Sequence, residues 1–207
     1  MDTEPTITLH CVRKNGSREQ TKLSLRSVSE AREVAKRVLR LGNGLYTEVD
    51  ICTEDGTLET IMNSGANENA PEVLLVEDNA GDALLVGQAL ADCPTKVNLH
   101  IARDGEQALL MLTDPYFKPN LILLDLNIPR ITGLALLERW QSIDIPIVVF
   151  SSSLNEAEQK RVVELGAKEF ISKPTDIQAF IDAVCAIVQR WALPQASSTA
   201  SGSCAGS

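Results

Sequence analysis

Four apolar runs between residues 72 and 173 each end at a residue that could do chemistry. They lead into Glu77 and Asp78, Asp125, Ser151, and Lys173. Crowded carboxylates repel one another unless a cation neutralises them, and a hard ion such as Mg²⁺ takes oxygen ligands. Ser151 adds a hydroxyl donor and Lys173 a positive charge. Around one nucleophilic carboxylate this set can accept a phosphoryl group, because phosphoryl transfer depends on positioning and charge neutralisation.

The elements that must position these residues alternate between strand and helix. Five apolar runs occur, and they are "EVLLV", "VNLHIA", "LILLDL", "PIVVF" and "EFIS". Each precedes a helical pattern, over 81–93, 106–113, 132–142, 155–166 and 175–192. This alternation predicts an α/β fold, a (βα)5 doubly wound parallel sheet of order 2-1-3-4-5. In that order strands 1, 3, 4 and 5 are neighbours, so their carboxyl ends meet in one pocket.

Composition divides the chain into four parts. Residues 1–61 predict a small α+β unit of order ββαββ, with a helix that Ser27 and Glu30 could cap. Residues 62–71, "MNSGANENAP", are typical of a linker, and 72–192 form the α/β domain. The Ser/Ala/Gly-rich stretch 193–207 predicts a disordered tail. The ββαββ unit has a core near the lower limit for independent folding, and we assign it no chemistry.

Several polar side chains favour a structural interpretation. Arg32, Lys36 and Arg40 form a basic stripe that could dock an acidic partner or nucleic acid, but we interpret it as a solvated helix face. His10 and His100 lie in predicted strands with no second ligand-type residue at metal spacing. We therefore interpret both histidines as structural.

The remaining composition sets limits on location and partners. The five cysteines are scattered without a C-x-x-C pair, which indicates buried thiols and one tail thiol rather than a zinc site or disulfide framework. No apolar run is long enough to span a membrane, and the first residues lack a secretion signal, so we expect a cytoplasmic protein. The net charge of -9 disfavours nucleic acid and anionic membranes as partners.

Several familiar kinds of site fit the acidic residues less well. Acidic residues at strand ends are often helix caps, and Asp78 or Asn79 could cap the first helix of the α/β domain. "EDNAGD" is not the glycine-rich loop of a dinucleotide site, and no phosphate-binding P-loop occurs. A dehalogenase-type hydrolase needs a second Asp where Asn127 stands, and Ser151 lacks the glycines of a nucleophile elbow.

The motifs "VLLVEDN", "LILLDLNIPRITG", "VVFSSS" and "FISKP" resemble the receiver domain of bacterial two-component response regulators. The resemblance runs from about residue 71 to residue 191. "VEDN" and the terminal "QRW" are similar to short receivers, some of them paired with phytochrome-type kinases.

The resemblance implies a role for each matching residue of the pocket. Asp125 is implied to be the phosphoacceptor, and Lys173 to pair with the phosphoryl group. The metal ligands it implies for Mg²⁺ are Glu77, Asp78, Asp125 and the backbone carbonyl of Asn127.

The resemblance also implies a switch. Ser151 is expected to turn toward the phosphoryl group, and Phe170 to follow inward. Ser151 stands where Thr is usual, and Phe170 lacks the hydroxyl of the commoner Tyr. Pro174 resembles the family's characteristic cis-proline.

The function implied is that of a response regulator rather than of an enzyme with its own substrate. Self-phosphorylation with Mg²⁺ and slow self-dephosphorylation are the only reactions expected. The implied partners are a sensor histidine kinase or phosphotransfer protein and a downstream protein effector, and a homodimer is compatible with the resemblance. The alternative is a receiver-like module that works by protein contacts without phosphorylation.

Overall fold

The structure is a computed structural model that describes residues 6–13, 16–24, 27–41, 46–53, 56–62, 70–153 and 155–193. The predicted disordered tail, apart from its first residue, and most of the predicted linker lie outside these ranges. Among the helices within them, none combines the length and hydropathy that crossing a bilayer requires.

The first part of the chain folds in the predicted order ββαββ. Its elements are β1 (Thr6–Arg13), β2 (Arg18–Ser24), α1 (Val28–Leu41), β3 (Tyr46–Thr53) and β4 (Gly56–Met62). The backbone N–H of Glu30 donates to Ser27 Oγ at 3.2 Å, which is one half of the predicted capping box. Ala31, Ala35 and Leu39 on α1 are buried against the inner face of β1, β3 and β4.

The second part alternates strand and helix as the sequence predicts. Its elements are β5 (Glu72–Val76), α2 (Ala80–Asp92), β6 (Asn98–Ala102), α3 (Gly105–Thr113), β7 (Leu121–Leu124), α4 (Gly133–Arg139), β8 (Ile147–Ser151), α5 (Glu156–Glu164), β9 (Glu169–Ser172) and α6 (Ile177–Trp191). All five strands are parallel, in the order β6-β5-β7-β8-β9. This is the predicted 2-1-3-4-5 order of a flavodoxin-like fold.

Helices cover both faces of the parallel strands. One apolar cluster joins α2 and α6 to one face, and a second joins α3, α4 and α5 to the other. All four residues of β7 are buried, because neighbouring residues of a strand point to opposite faces and here both faces are covered. On α6 the buried stripe contains Phe180, Val184 and Val188, whereas Ile177, the first residue of the helix, is exposed.

The two parts share one sheet. β4 pairs antiparallel with β6, with Thr60 opposite Ile101, so the strand order is β2-β1-β3-β4-β6-β5-β7-β8-β9. Met62, expected at the start of the linker, is the last residue of β4, and its side chain packs against the α2–α6 cluster. The ββαββ unit therefore extends the sheet of the α/β domain by four strands. Its boundaries as a separate domain remain a prediction.

The basic stripe of α1 contacts this second part of the chain. Arg32 is only 4% exposed, and its guanidinium donates to Glu59 and to Asp114, each at 2.6 Å. It also lies over the ring of Phe117, 4.3 Å from the centroid. The interpretation of Arg32 as a solvated residue was wrong, because the polar side of α1 faces carboxylates that are distant in sequence.

Lys36 and His100 complete the same buried contact. Lys36 Nζ donates to Glu72 at 2.6 Å, which corrects the solvated interpretation of this residue too, whereas the side chain of Arg40 lies outside the described set. His100 is fully buried, with Nδ1 against Glu59 and Nε2 against Glu72. Bonds from His100 and Lys36 outweigh the effect of burial on Glu72 and lower its pKa to about 2. His100 is structural, since it joins β4, β5 and β6.

The charge of His100 makes this contact sensitive to pH. Burial alone would lower the pKa of the imidazole, but the Glu59 and Glu72 carboxylates outweigh burial and raise it. A raised pKa means that the stabilisation is complete below the unfolded value of about 6.5 and is lost as pH rises through the folded value. We therefore expect the free energy of unfolding, measured by urea titration, to fall as pH rises through the raised pKa.

His100→Gln should abolish that fall and cost about 3 to 5 kcal/mol at pH 6, because Glu59 and Glu72 lose a charged partner. His10→Gln, a histidine change in β1, is the matched control and should keep the wild-type pH dependence. An unchanged pH dependence in His100→Gln would contradict the assignment.

Cysteine pairing differs from the sequence interpretation. Cys11 and Cys52 are buried as expected, whereas Cys93 and Cys185 form a disulfide with their Cα atoms 5.6 Å apart. Cys204 lies outside the described ranges. The pairing could not be read from sequence spacing because the packing of α2 against α6 brings together residues 92 positions apart.

The disulfide should stabilise the oxidised chain. In the chain-entropy model a closed loop of this length contributes up to about 4 to 5 kcal/mol. We expect reduction by dithiothreitol to lower the melting temperature of the wild type but not of Cys185→Ser. Cys52→Ser is the control and should still respond to reduction. Equal melting temperatures for oxidised and reduced wild type would show that no bond forms.

Candidate functional site

The predicted pocket forms at the carboxyl ends of β5, β7, β8 and β9. Pairing of β5 with β7 places the residues after Val76 and Leu124 side by side, and these are Glu77 and Asp125. Ser151 is the last residue of β8 and lies opposite Ser172, one position before Lys173. The parallel register therefore brings together four predicted site residues that span nearly a hundred positions of sequence.

Asp125 lies at the centre and is 6% exposed. Its Oδ1 accepts hydrogen bonds from Ser151 Oγ at 2.7 Å and from the Asn127 N–H at 3.0 Å, and its Oδ2 accepts from Lys173 Nζ at 2.6 Å. Burial raises the pKa of the carboxyl, but these three donors outweigh burial and hold the pKa below its ordinary value. Asp125 is thus an ionised, oriented carboxylate, the form that a nucleophile requires.

Lys173 is the cation of the cluster. Its Nζ donates to Asp125 and Glu77, each at 2.6 Å, and to Asp82 at 2.8 Å. Burial alone would lower the pKa of the ammonium, but bonds from the three carboxylates raise it above its ordinary value. Lys173 therefore stays charged, and one positive charge faces three carboxylates.

The pKa of Glu77 indicates that Lys173 does not fully neutralise the carboxylates of the pocket. Its pKa is raised, chiefly by burial and further by Asp125, and the bonds from Lys173 do not cancel that effect. Within the described ranges no three His, Cys, Asp or Glu side chains are arranged around a common point as a metal would need. The chemistry of the donors nevertheless fits a hard divalent cation, since the buried oxygens carry more negative charge than Lys173 neutralises.

Asp82 is a member of the cluster that sequence reasoning missed. Asp78, the predicted neighbour of Glu77, is exposed, whereas Asp82 reaches Lys173 from the first turn of α2. Asn79 caps α2, accepting from the N–H groups of Gly81 and Asp82 at 2.8 and 3.2 Å. The sequence did contain a signal for Asp82, because a helix cap at residue 79 places residue 82 in the first turn, beside the pocket. An acidic residue in a first turn is commonly explained by the helix dipole alone.

The chain around Asp125 is tightly packed. A Cβ atom on Gly133, at the start of α4, would lie 2.6 Å from the backbone oxygen of Asp125 and 2.7 Å from Leu126 Cα. The Gly133 N–H also donates to the Leu126 oxygen at 3.1 Å. Glycine is needed there so that α4 can approach the end of β7 and fix the backbone that carries Asp125.

Residues 73–185 match the model of the response regulator receiver domain family. The chain belongs to this family. It is thus a receiver-domain signalling protein of the two-component type, and its α/β part is the receiver domain predicted from the motifs.

Several relatives are phytochrome-associated receivers. The response regulator Rcp1 of Synechocystis sp. is 35% identical over 133 residues, which cover 59% of this chain and 90% of Rcp1. A second similar protein is the phosphorylated cyanobacterial phytochrome response regulator RcpA, whose crystal structure matches this chain with a TM-score of 0.56 and 31% sequence identity. The match covers 59% of this chain and 94% of RcpA. The Mn²⁺-bound form of Rcp1 is also 31% identical, with a TM-score of 0.55 and the same coverage. These similarities confirm the predicted likeness to that subgroup.

Other relatives are longer proteins. A protein-glutamate methylesterase/protein-glutamine glutaminase of Methanospirillum hungatei is 38% identical over 110 residues, which cover 51% of this chain and 32% of that protein. This chain spans between 27% and 32% of the length of such relatives.

Ser151 and Phe170, the two predicted switch residues, lie on the neighbouring strands β8 and β9. Ser151 is fully buried and already bonded to Asp125. Phe170 on β9 pairs in register with Val149 and is partly buried against the second apolar cluster. The prediction of a cis peptide bond before Pro174 is wrong. No peptide bond between described residues is cis, and the usual trans form at Pro174 still lets the Lys173 N–H donate to the Ser151 oxygen at 2.9 Å.

Proposed function

We propose that Asp125 accepts a phosphoryl group from the phosphohistidine of a sensor histidine kinase or phosphotransfer protein. The observation that carries this proposal is the arrangement of Asp125, an ionised buried carboxylate bonded to Lys173 and Ser151. Phosphorylation then alters a surface that a downstream protein effector recognises. Phosphoryl acceptance is the only reaction that we propose for this chain, because it is the reaction that the geometry of the pocket supports.

Each side chain of the pocket has a part in the transfer. Asp125 is the nucleophile, and its Oδ atoms point to the donors that hold it. Lys173 and Ser151, which now bond Asp125, are placed to donate to the oxygens of the incoming phosphoryl group. Mg²⁺ bound by Glu77, Asp78, Asp125 and the Asn127 carbonyl would neutralise the remaining charge on those oxygens.

Labelling of the full chain with a small phosphodonor and Mg²⁺ tests the acceptor. We expect wild type to gain one acid-labile phosphoryl group by mass spectrometry and Asp125→Asn to gain none, because the amide is not a nucleophile. Asp144→Asn, at an exposed carboxylate before β8, is the matched control and should be labelled normally. Undiminished labelling of Asp125→Asn would refute the proposal and favour a phosphorylation-independent module.

Ser151 should couple phosphorylation to the surface. A phosphoryl group adds about 1.5 to 2 negative charges and three acceptor oxygens, which draw the Ser151 hydroxyl away from Asp125. Phe170 can follow into the space behind β8, which changes α5, β9 and α6. We expect beryllofluoride to shift amide resonances mainly in residues 151–180, and Ser151→Ala to keep labelling but shrink those shifts. Full shifts in Ser151→Ala would exclude this coupling.

A further inference from the structure

The ammonium of Lys173 lies between carboxylates of two kinds. The side chains of Glu77 and Asp125, which follow β5 and β7, are 2% and 7% exposed. The side chain of Asp82, in the first turn of α2, is 32% exposed. Lys173 is therefore held by two buried partners from strand ends and by one partner on the solvent side of the pocket, carried by a helix.

The two buried partners are the groups that the proposed function requires. Asp125 must bond to the phosphoryl group, and a divalent cation needs oxygens from both Glu77 and Asp125. Lys173 Nζ lies 2.6 Å from each of them, so its protons occupy those oxygens. A cation that binds these same two oxygens therefore requires Lys173 to give up these contacts.

A buried ammonium that leaves two carboxylates needs another anion, because an unpaired buried charge is strongly unfavourable. Asp82 already lies 2.8 Å from Lys173 Nζ. Its position is fixed by α2, whose cap Asn79 accepts from the Asp82 N–H, and not by the pocket. Asp82 consequently stays in place when Glu77 and Asp125 change partners.

We propose that Asp82 is a positioning residue, which holds the Lys173 ammonium while Glu77 and Asp125 take up a divalent cation. This inference rests on the proposed function and adds a residue to it. After transfer to Asp125, Asp82 competes with the phosphoryl oxygens for the same ammonium. Asp82 therefore strengthens cation binding and shortens the lifetime of the phosphoryl group.

A double-mutant cycle on the full chain tests this role, with Mg²⁺ binding measured by calorimetry. Asp82→Asn alone should weaken Mg²⁺ binding about three- to tenfold, because the ammonium then stays on Glu77 and Asp125. In a Lys173→Gln background the same substitution should change the Kd by less than about twofold. Equal weakening in both backgrounds overturns the proposal, since Asp82 would then act on the cation directly.

Two further variants separate positioning from loss of charge. Asp92→Asn removes the same charge at the exposed far end of α2 and should leave Mg²⁺ binding unchanged. Asp82→Glu keeps the charge and should restore binding to within about threefold of wild type. At saturating Mg²⁺, labelled Asp82→Asn should keep its phosphoryl group at least about twice as long as wild type. A lifetime equal to or shorter than that of wild type overturns the proposal.

A crystal structure of the unmutated chain with Mg²⁺ decides the matter if Lys173→Gln does not fold. Lys173 Nζ within hydrogen-bond distance of Asp82 and away from Glu77 supports the role. Nζ still on Glu77, or removed from Asp82, overturns it.

Phosphoryl labelling in parallel distinguishes the two proposals. Absence of label on the wild type refutes the proposed function, whereas labelling with an uncoupled cycle refutes only the role of Asp82.

Discussion

The ion pairs of Lys173 are the contacts on which the site depends. They join the ends of β5 and β7 to the first turn of α2, and the backbone of Lys173 is bonded to the end of β8. Three elements that carry acidic groups would otherwise repel one another at this edge. The same contacts keep Asp125 ionised and aligned. Structure and reactivity of the pocket therefore rest on one ammonium.

A second buried charge cluster lies at the opposite end of β5. Glu72 begins this strand and takes part in the contacts of His100 and Lys36, whereas Glu77 follows its end and contacts Lys173. The strand between them is fully buried beyond its first residue. Because this second cluster also contains Arg32 of α1, the ββαββ unit and the receiver domain share a core contact and are expected to unfold together.

The sequence predicted the parts of this structure that depend on local pattern. The apolar strands, their order and the meeting of Glu77, Asp125, Ser151 and Lys173 all follow from periodicity and from the rule for doubly wound sheets. The burial of Arg32, the disulfide of Cys93 and Cys185, and the entry of Asp82 into the pocket depend on contacts between distant segments. Helical periodicity marks the polar side of α1 or α2, but it does not reveal what that side faces.

Addition of β4 to β6 has a consequence for self-association. A receiver-type sheet without this extension would present β6 as an open edge whose amide and carbonyl groups could pair with another chain. In the nine-stranded sheet the outer strands are β2 and β9. β2 begins with Arg18 and Glu19, charges that disfavour pairing, and β9 is only four residues long. The ββαββ unit thus replaces the β6 edge by the β2 edge, which is of the kind that resists cross-β aggregation.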